Sequence, residues 1–106
     1  MSVKDLGSLF KQAQEMQSKM ADVQRDLAEK KVEVSTGGGM VKVVANGVNE
    51  IISVHIDDEL INMNDREVLE DLITGAINEV HRKVKELAQE EMTRFTGGIK
   101  IPGLFP

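Results

Sequence analysis

The sequence contains no cysteine, no tryptophan and no tyrosine. Without cysteine, disulfides and thiolate metal sites are excluded. Three phenylalanines are the whole aromatic complement, which argues against a base-stacking platform of the kind that holds single strands. No apolar run approaches the roughly 20 residues of a membrane span. The opening residues, Met1-Ser2-Val3-Lys4-Asp5, lack the charged-then-apolar layout of a secretory signal. The expectation is a cytoplasmic chain with no membrane association. The only histidines, His55 and His81, fall on different predicted elements, and neither has a second histidine at ligand spacing. No serine or threonine sits in a nucleophile elbow. The chain is therefore expected not to be an enzyme and to use no metal, cofactor or small-molecule substrate.

Positive charge is also scarce. Thirteen Lys and Arg face eighteen Asp and Glu, for a net charge of -5, which by itself argues against a nucleic-acid partner. The distribution tempers this. Asp57, Asp58, Glu59, Asp65, Glu67, Glu70 and Asp71 stand against one base, Arg66, so this segment carries -6 and the remainder of the chain +1. The acidity lies in the middle; residues 1–56 are neutral overall, and residues 72–106 carry +1.

What is present is strong periodicity. The 106 residues suffice for one domain with a modest core. Leu6, Leu9, Ala13, Met16, Met20, Val23 and Leu27 recur in alternating steps of three and four, the seam of a coiled coil. Ser2 and Asp5 read as a capping box, so a helix is expected from about Val3 to about Lys30, roughly 40 Å long. The period then changes. Val32 and Val34 alternate with polar residues, Gly37-Gly38-Gly39 breaks the run, and Met40 to Ala45 is rich in valine. Asn46-Gly47 is a hairpin signal. In Val48 to Asp57, Ile52, Val54 and Ile56 share one face, with Ile51 and His55 on the other. Three short antiparallel strands joined by tight turns are expected. Asn64 and Glu67 form a second capping box. Leu69, Leu72, Ile73, Ala76, Ile77, Val80, Val84, Leu87 and Phe95 then follow at helical spacing for roughly 45 Å, interrupted only by Gly75 and closed by Gly97 as C′ residue.

The predicted architecture is α+β: a long N-terminal helix, a three-stranded antiparallel sheet and a long C-terminal helix. Residues 1–98 form a single helix–sheet–helix domain, and 99–106 a flexible tail. Both helices are longer than three short strands can cover. Their distal seams must pack on each other, on a second copy, or both, and a homodimer is the economical answer. Met16, Met20, Val23 and Leu27 are its expected interface, with the methionines read as packed in a core.

The remaining motifs have ordinary explanations. The glycine triplet is not followed by a helix, and Lys42 is not at Walker spacing, so a strand-to-strand turn is favoured over a phosphate loop. Asp57-Asp58-Glu59 lacks the layout of a calcium loop and reads as a solvated acidic loop. Lys4, Lys11 and Arg25 align opposite the seam of the first helix. Glu15 and Glu29 stand four residues after Lys11 and Arg25, as weak i,i+4 pairs would require. Lys85 has no acid three or four residues away. His81, Arg82 and Lys85 share a face and, with Lys30 and Lys31, read as the least compensated cations. Solvated faces and a polyanion site both remain open on charge alone.

Lys11-Gln12-Ala13-Gln14-Glu15-Met16-Gln17, followed by Met20, Gln24 and Leu27, resembles the first helix of the YbaB/EbfC family of bacterial nucleoid-associated proteins. Gly37-Gly38-Gly39-Met40-Val41-Lys42-Val43 with Asn46-Gly47 looks like that family's central hairpin. Ile56-Asp57, Leu69-Glu70-Asp71-Leu72-Ile73 and Ala76-Ile77-Asn78 continue the likeness. Gly97-Gly98 with Pro102-Gly103-Leu104 resembles the closing tail. The similarity runs in order from about residue 5 to residue 104. Val80 departs from it, since the family often has alanine there, a difference of helix packing. The resemblance implies a tweezer-like homodimer that binds double-stranded DNA with weak sequence preference and organises or regulates the chromosome in the nucleoid. It fixes no contact residues. The charge map supplies the candidates: Lys11, Arg25, Lys30, Lys31, Arg82 and Lys85. The competing function is a protein–protein adaptor whose long helices clasp a partner without DNA.

Overall fold

The computed structural model describes residues 3–95, with side chains from Asp5 onward. Helix α1 spans Val3–Glu29 and is followed by strands β1 (Lys31–Thr36), β2 (Val41–Asn46) and β3 (Ile51–Ile56), a short helix α2 (Asp58–Asn62) and helix α3 (Arg66–Phe95). The strands form one antiparallel sheet in the order β1-β2-β3. This is the helix–sheet–helix architecture that the periodicities predict. Ser2, Gly97 and the tail 99–106 lie outside the described residues.

The core forms where α3 crosses β1 and β2. Val34, Val41, Val43 and Ala45 of the sheet meet Ala76, Val80 and Val84 of α3, and Leu60 of α2 closes one end. Four of these, Leu60, Val41, Val43 and Val80, are the largest fully buried side chains among the described residues. The valine at position 80 is thus a packing residue against the sheet. The turn between β1 and β2 needs its glycines: Gly37, Gly38 and Gly39 have φ of 62°, 66° and 93°, a region that β-carbons disfavour. A β-carbon on Gly37 would also fall 2.7 Å from Leu72 Cδ1. The triplet is a hairpin turn pressed against α3.

Three local features differ from the sequence expectations. The acidic run after β3 is not a loop. Asp57 stands at the N-cap of α2, Asp58 and Glu59 occupy its first turn, where carboxylates favour the positive end of the helix dipole, and the helix serves to bury Leu60. The cap of α3 lies one residue later than Asn64: the Val68 amide donates to Asp65 Oδ1 at 3.3 Å, while Asn64 is left-handed with φ 55°. The β2–β3 connection is not a two-residue turn at Asn46-Gly47. The Asn46 amide donates to the Glu50 carbonyl at 3.0 Å, enclosing residues 47–49, and the left-handed residue is Asn49, φ 68°. Asn46 is buried and organises this loop. Its Oδ1 accepts from the Val48 and Glu50 amides at 3.1 and 3.0 Å, and its Nδ2 donates to Glu50 Oε1 at 2.9 Å.

The molecule is long and narrow, 72 × 23 × 19 Å with a radius of gyration of 20.0 Å. A compact domain of about 100 residues would measure near 13 Å. The cause is α1. Only its last turns engage the rest of the chain: Leu27 is buried and Val23 half-buried, whereas Leu6, Leu9, Phe10, Met16 and Met20 are exposed. The methionines of the seam are therefore not core residues of the protomer.

Candidate nucleic-acid interface

The root of the arm is tightly built. The Leu27 carbonyl accepts from the Lys30 amide at 3.2 Å and from the Gly47 amide at 2.8 Å, so the β2–β3 loop satisfies a carbonyl that the end of α1 leaves open. The approach is close enough that a β-carbon on Gly47 would sit 2.5 Å from the Leu27 oxygen. Gly47 does not need a positive φ. Its lack of a side chain admits the backbone of α1. Beside this contact, Lys30 Nζ is ion-paired with Glu91 Oε1, and Arg94 approaches the same oxygen at 3.0 Å. The Glu91 carboxyl is buried. The hydrogen bond from Lys30 holds its pKa below the usual glutamate value, and the charges of Arg94 and Lys30 add to this against the opposing effect of burial.

The six candidate cations fall into two groups. Lys11 on the free part of α1, Lys31 at the start of β1 and Lys85 on α3 are exposed and, among the described residues, have no ion-pair partner. The other three are engaged. Arg25 pairs with Asp22, Lys30 with Glu91, and Arg82 with both Glu79 and Glu86. The hydrogen bond and charge of Glu79 raise the Arg82 pKa, and Arg82 in turn lowers that of Glu79. Arg82 is thus not among the least compensated cations. Glu79 three residues before it and Glu86 four residues after it were the sequence signal of that pairing.

The structure gathers Arg25, Lys30 and Lys31 around the root of the arm, where Arg94 joins them through Glu91. Lys11 stands fourteen residues before Arg25 on the same helix, about 21 Å along its axis. The six do not converge on one point. They spread along an elongated body, a form suited to following a phosphate backbone rather than enclosing a small ligand. Glu91 and Arg94 join this cluster through ion pairs that the sequence pattern did not single out. Their spacing of three was visible, but the buried position of Glu91 depends on the contact between α1 and α3.

Nothing else in the described residues offers a chemical site. No group of three metal-ligating side chains converges among them. His55 Nε2 lies 3.1 Å from Asp57 Oδ1 at the surface, and His81 Nδ1 lies 2.5 Å from Asn49 Oδ1, tying α3 to the β2–β3 loop. No helix among them is long and apolar enough to cross a membrane.

Comparison with known proteins agrees with this shape. A nucleoid-associated protein of Desulfotalea psychrophila is 47% identical over 100 residues, covering 94% of each chain. One from Caldanaerobacter subterraneus is 45% identical over 101 residues, covering 95% of this chain and 91% of its own. The crystal structure of an uncharacterized protein from Helicobacter pylori superposes with a TM-score of 0.75 at 25% identity, covering 91% of this chain and 98% of that one. The model of the YbaB/EbfC DNA-binding family matches residues 1–99, and the chain belongs to that family.

Proposed function

We propose that the protein binds double-stranded DNA as a homodimer, through phosphate contacts from basic residues on and around its helical arms, with weak sequence preference, in the bacterial nucleoid. The family match across nearly the whole chain carries this reading. The curated relatives, named as nucleoid-associated proteins, support the location and a role in organising or regulating the chromosome. No catalytic step belongs to it.

The physical form supports the same reading. An elongated surface with dispersed lysines can neutralise phosphates, and such contacts position a protein without reading bases. Lys11, Lys31 and Lys85 are the leading contacts, because meeting a phosphate costs them no existing ion pair. Arg25, Lys30 and Arg82 would first have to release or share a carboxylate. A second copy doubles the number of contacts, and the exposed seam at Met16 and Met20 supplies a reason to dimerise. Leu27 and part of Val23 are already used within the protomer.

The direct test is a shift assay with duplex DNA over a range of salt concentrations, with sedimentation at micromolar protein. A dimer whose DNA affinity falls with salt is expected. A dimer with no duplex binding even at low salt would favour a protein–protein adaptor, in keeping with the acidic net charge.

A further inference from the structure

Asn46-Gly47 is the sole Asn-Gly pair in the chain. The other asparagines precede larger residues, at Asn49-Glu50, Asn62-Met63, Asn64-Asp65 and Asn78-Glu79. Asparagine before glycine is chemically labile. With no side chain in its way, the following backbone nitrogen can reach the asparagine side-chain carbon and displace ammonia. Each half of the pair has a structural reason to be here. Asn46 ties the β2–β3 loop together. Gly47 admits the Leu27 carbonyl, whose oxygen a β-carbon would meet at 2.5 Å. Seating α1 on this loop thus imposes the labile pair.

The same seat holds the reacting groups apart. The peptide between Asn46 and Gly47 is fixed at both ends. Its carbonyl accepts from the Asn49 amide at 3.1 Å, and its N–H donates to the Leu27 carbonyl at 2.8 Å. The side chain is fixed as well: Oδ1 accepts from the Val48 and Glu50 amides, and Nδ2 donates to Glu50 Oε1. Asn46 is only 8% exposed. Attack requires the peptide plane to turn, the side chain to leave its partners, and the Gly47 nitrogen to shed a proton now shared with Leu27. An Asn-Gly pair in an open, solvated loop meets none of these obstacles.

We propose that Asn46 is a latent deamidation site, kept unreactive by the seat of α1 and open to reaction when the root of the arm detaches. In the detached state the Gly47 nitrogen bonds to Asn46 Cγ. The Cγ–Nδ2 bond breaks, and Nδ2 departs as ammonia with the proton lost from Gly47. A cyclic imide results. Water then adds to one of the two imide carbonyls, the bond from that carbon to the Gly47 nitrogen breaks, and the nitrogen takes a proton from the water. Addition at Cγ leaves aspartate. Addition at the backbone carbonyl leaves isoaspartate, with an extra carbon in the main chain. Aspartate sets a carboxylate against Glu50 Oε1 where Nδ2 now donates, and isoaspartate displaces the Gly47 amide from Leu27. Both weaken the seat, so the reaction runs one way: a root that has reacted while open cannot close as before. None of this depends on what the arm binds.

The test follows the full chain in mildly alkaline phosphate buffer, folded and held unfolded in guanidinium chloride. Peptide mapping by mass spectrometry reads amide loss at each asparagine and separates aspartate from isoaspartate. Hydrogen exchange of the Gly47 amide is measured alongside, since the same local opening gates both processes. Asn46 should convert at least about 100-fold more slowly in the folded chain than in the unfolded one. Two variants separate the seat from the fold at large. Leu27→Ala loosens α1, whereas Leu60→Ala weakens the core at the opposite end of the sheet. Compared at equal global stability, Leu27→Ala should raise Asn46 conversion and Gly47 exchange together, by about tenfold or more over Leu60→Ala. Glu91→Gln, which removes the neighbouring ion pair, should move both in the same direction, and it carries the comparison if Leu27→Ala does not fold. Equal conversion in the folded and unfolded parent would overturn the protection. Equal acceleration by the seat and core variants would assign the protection to global folding and overturn the role of the seat. Faster loss at another asparagine in the unfolded chain would overturn the site.

Discussion

At the scale of single residues, two glycines should respond in opposite directions. Gly47→Ala places a β-carbon 2.5 Å from the Leu27 carbonyl oxygen, and neither backbone can yield without breaking the 2.8 Å hydrogen bond between them. Overpacking of this kind costs about 1–3 kcal/mol. Gly75 lies in α3, and a β-carbon there would meet Thr36 Cγ2 at 3.7 Å, an ordinary contact. Gly75→Ala should therefore recover up to about 1 kcal/mol of helix propensity. Thermal unfolding distinguishes them, at about 4–8 °C per kcal/mol for a domain of this size. Glu91 gives a pH-dependent counterpart. Its folded pKa lies below the ordinary value near 4.5 because Lys30 donates to it and Arg94 stands beside it. The ionised form is thus favoured by folding. That stabilisation is complete above the unfolded pKa and is lost as pH falls through the lower folded value. Glu91→Gln should lower stability at neutral pH and flatten the decline seen below about pH 4.3. Parallel denaturation curves at pH 7 and in the acid range check this, and an unchanged acid decline would count against the Lys30–Glu91 contact as its source.

At the scale of elements, the start of α3 separates neighbouring residues with different roles. Asp65→Ala removes the acceptor for the Val68 amide and should cost about 1 kcal/mol. Asn64 holds a left-handed conformation that glycine adopts freely, so Asn64→Gly should be neutral or mildly stabilising. Chemical denaturation with an unchanged slope would read both effects. The one-residue displacement of this cap also illustrates what a sequence can disclose. The long helices were legible because many residues each contribute to the same period, and the strands because Val32, Val34 and Val41 to Val43 alternate or cluster. Single positions carry no such redundancy. Asn64 and Asp65 are both good caps, and only the backbone decides between them. The acids 57–59 suit a solvated loop as well as a first helical turn. Helix α2 is confirmed by the burial of Leu60, which depends on residues distant in sequence. The candidate site was legible in composition but not in arrangement. Lys11, Lys31 and Lys85 stand exposed without an ion-pair partner among the described residues, while Arg82 lies between Glu79 and Glu86 and Lys30 meets an acid sixty-one positions away.

At the scale of the whole molecule, the proposed function requires an acidic chain to hold a polyanion, and separation of charge along the body offers a way. Residues 57–71 carry -6 of the net -5 and are attached to the sheet end of the molecule. The arm and its root, residues 5–31, balance Lys11, Lys19, Arg25, Lys30 and Lys31 against Asp5, Glu15, Asp22, Asp26 and Glu29 and so carry no net negative charge. Exposed charges further apart than a Debye length of about 8–10 Å are largely screened at physiological salt, so the acidic end of a 72 Å body need not repel DNA lying along the arms. It does require that binding depend on near contacts. If a dimer neutralises about 4–6 phosphates, log affinity should fall against log salt with a slope near -4 to -5, a loss of roughly 200- to 1,000-fold between 50 and 200 mM. The paired and unpaired cations then make a sharper forecast than the total. Lys11→Ala and Lys85→Ala each remove two contacts per dimer and should flatten the slope by up to about 2, alike for all DNA sequences. Arg82→Ala removes a cation already matched by two carboxylates, so its slope should stay close to the parent's, and its affinity should fall less than in either lysine variant. Titrations of the three variants against the parent at several salt concentrations decide this. Equal flattening by Arg82→Ala and Lys85→Ala would mean that Arg82 leaves Glu79 and Glu86 for the phosphate backbone. No effect from Lys11→Ala or Lys85→Ala would move the DNA off this surface altogether.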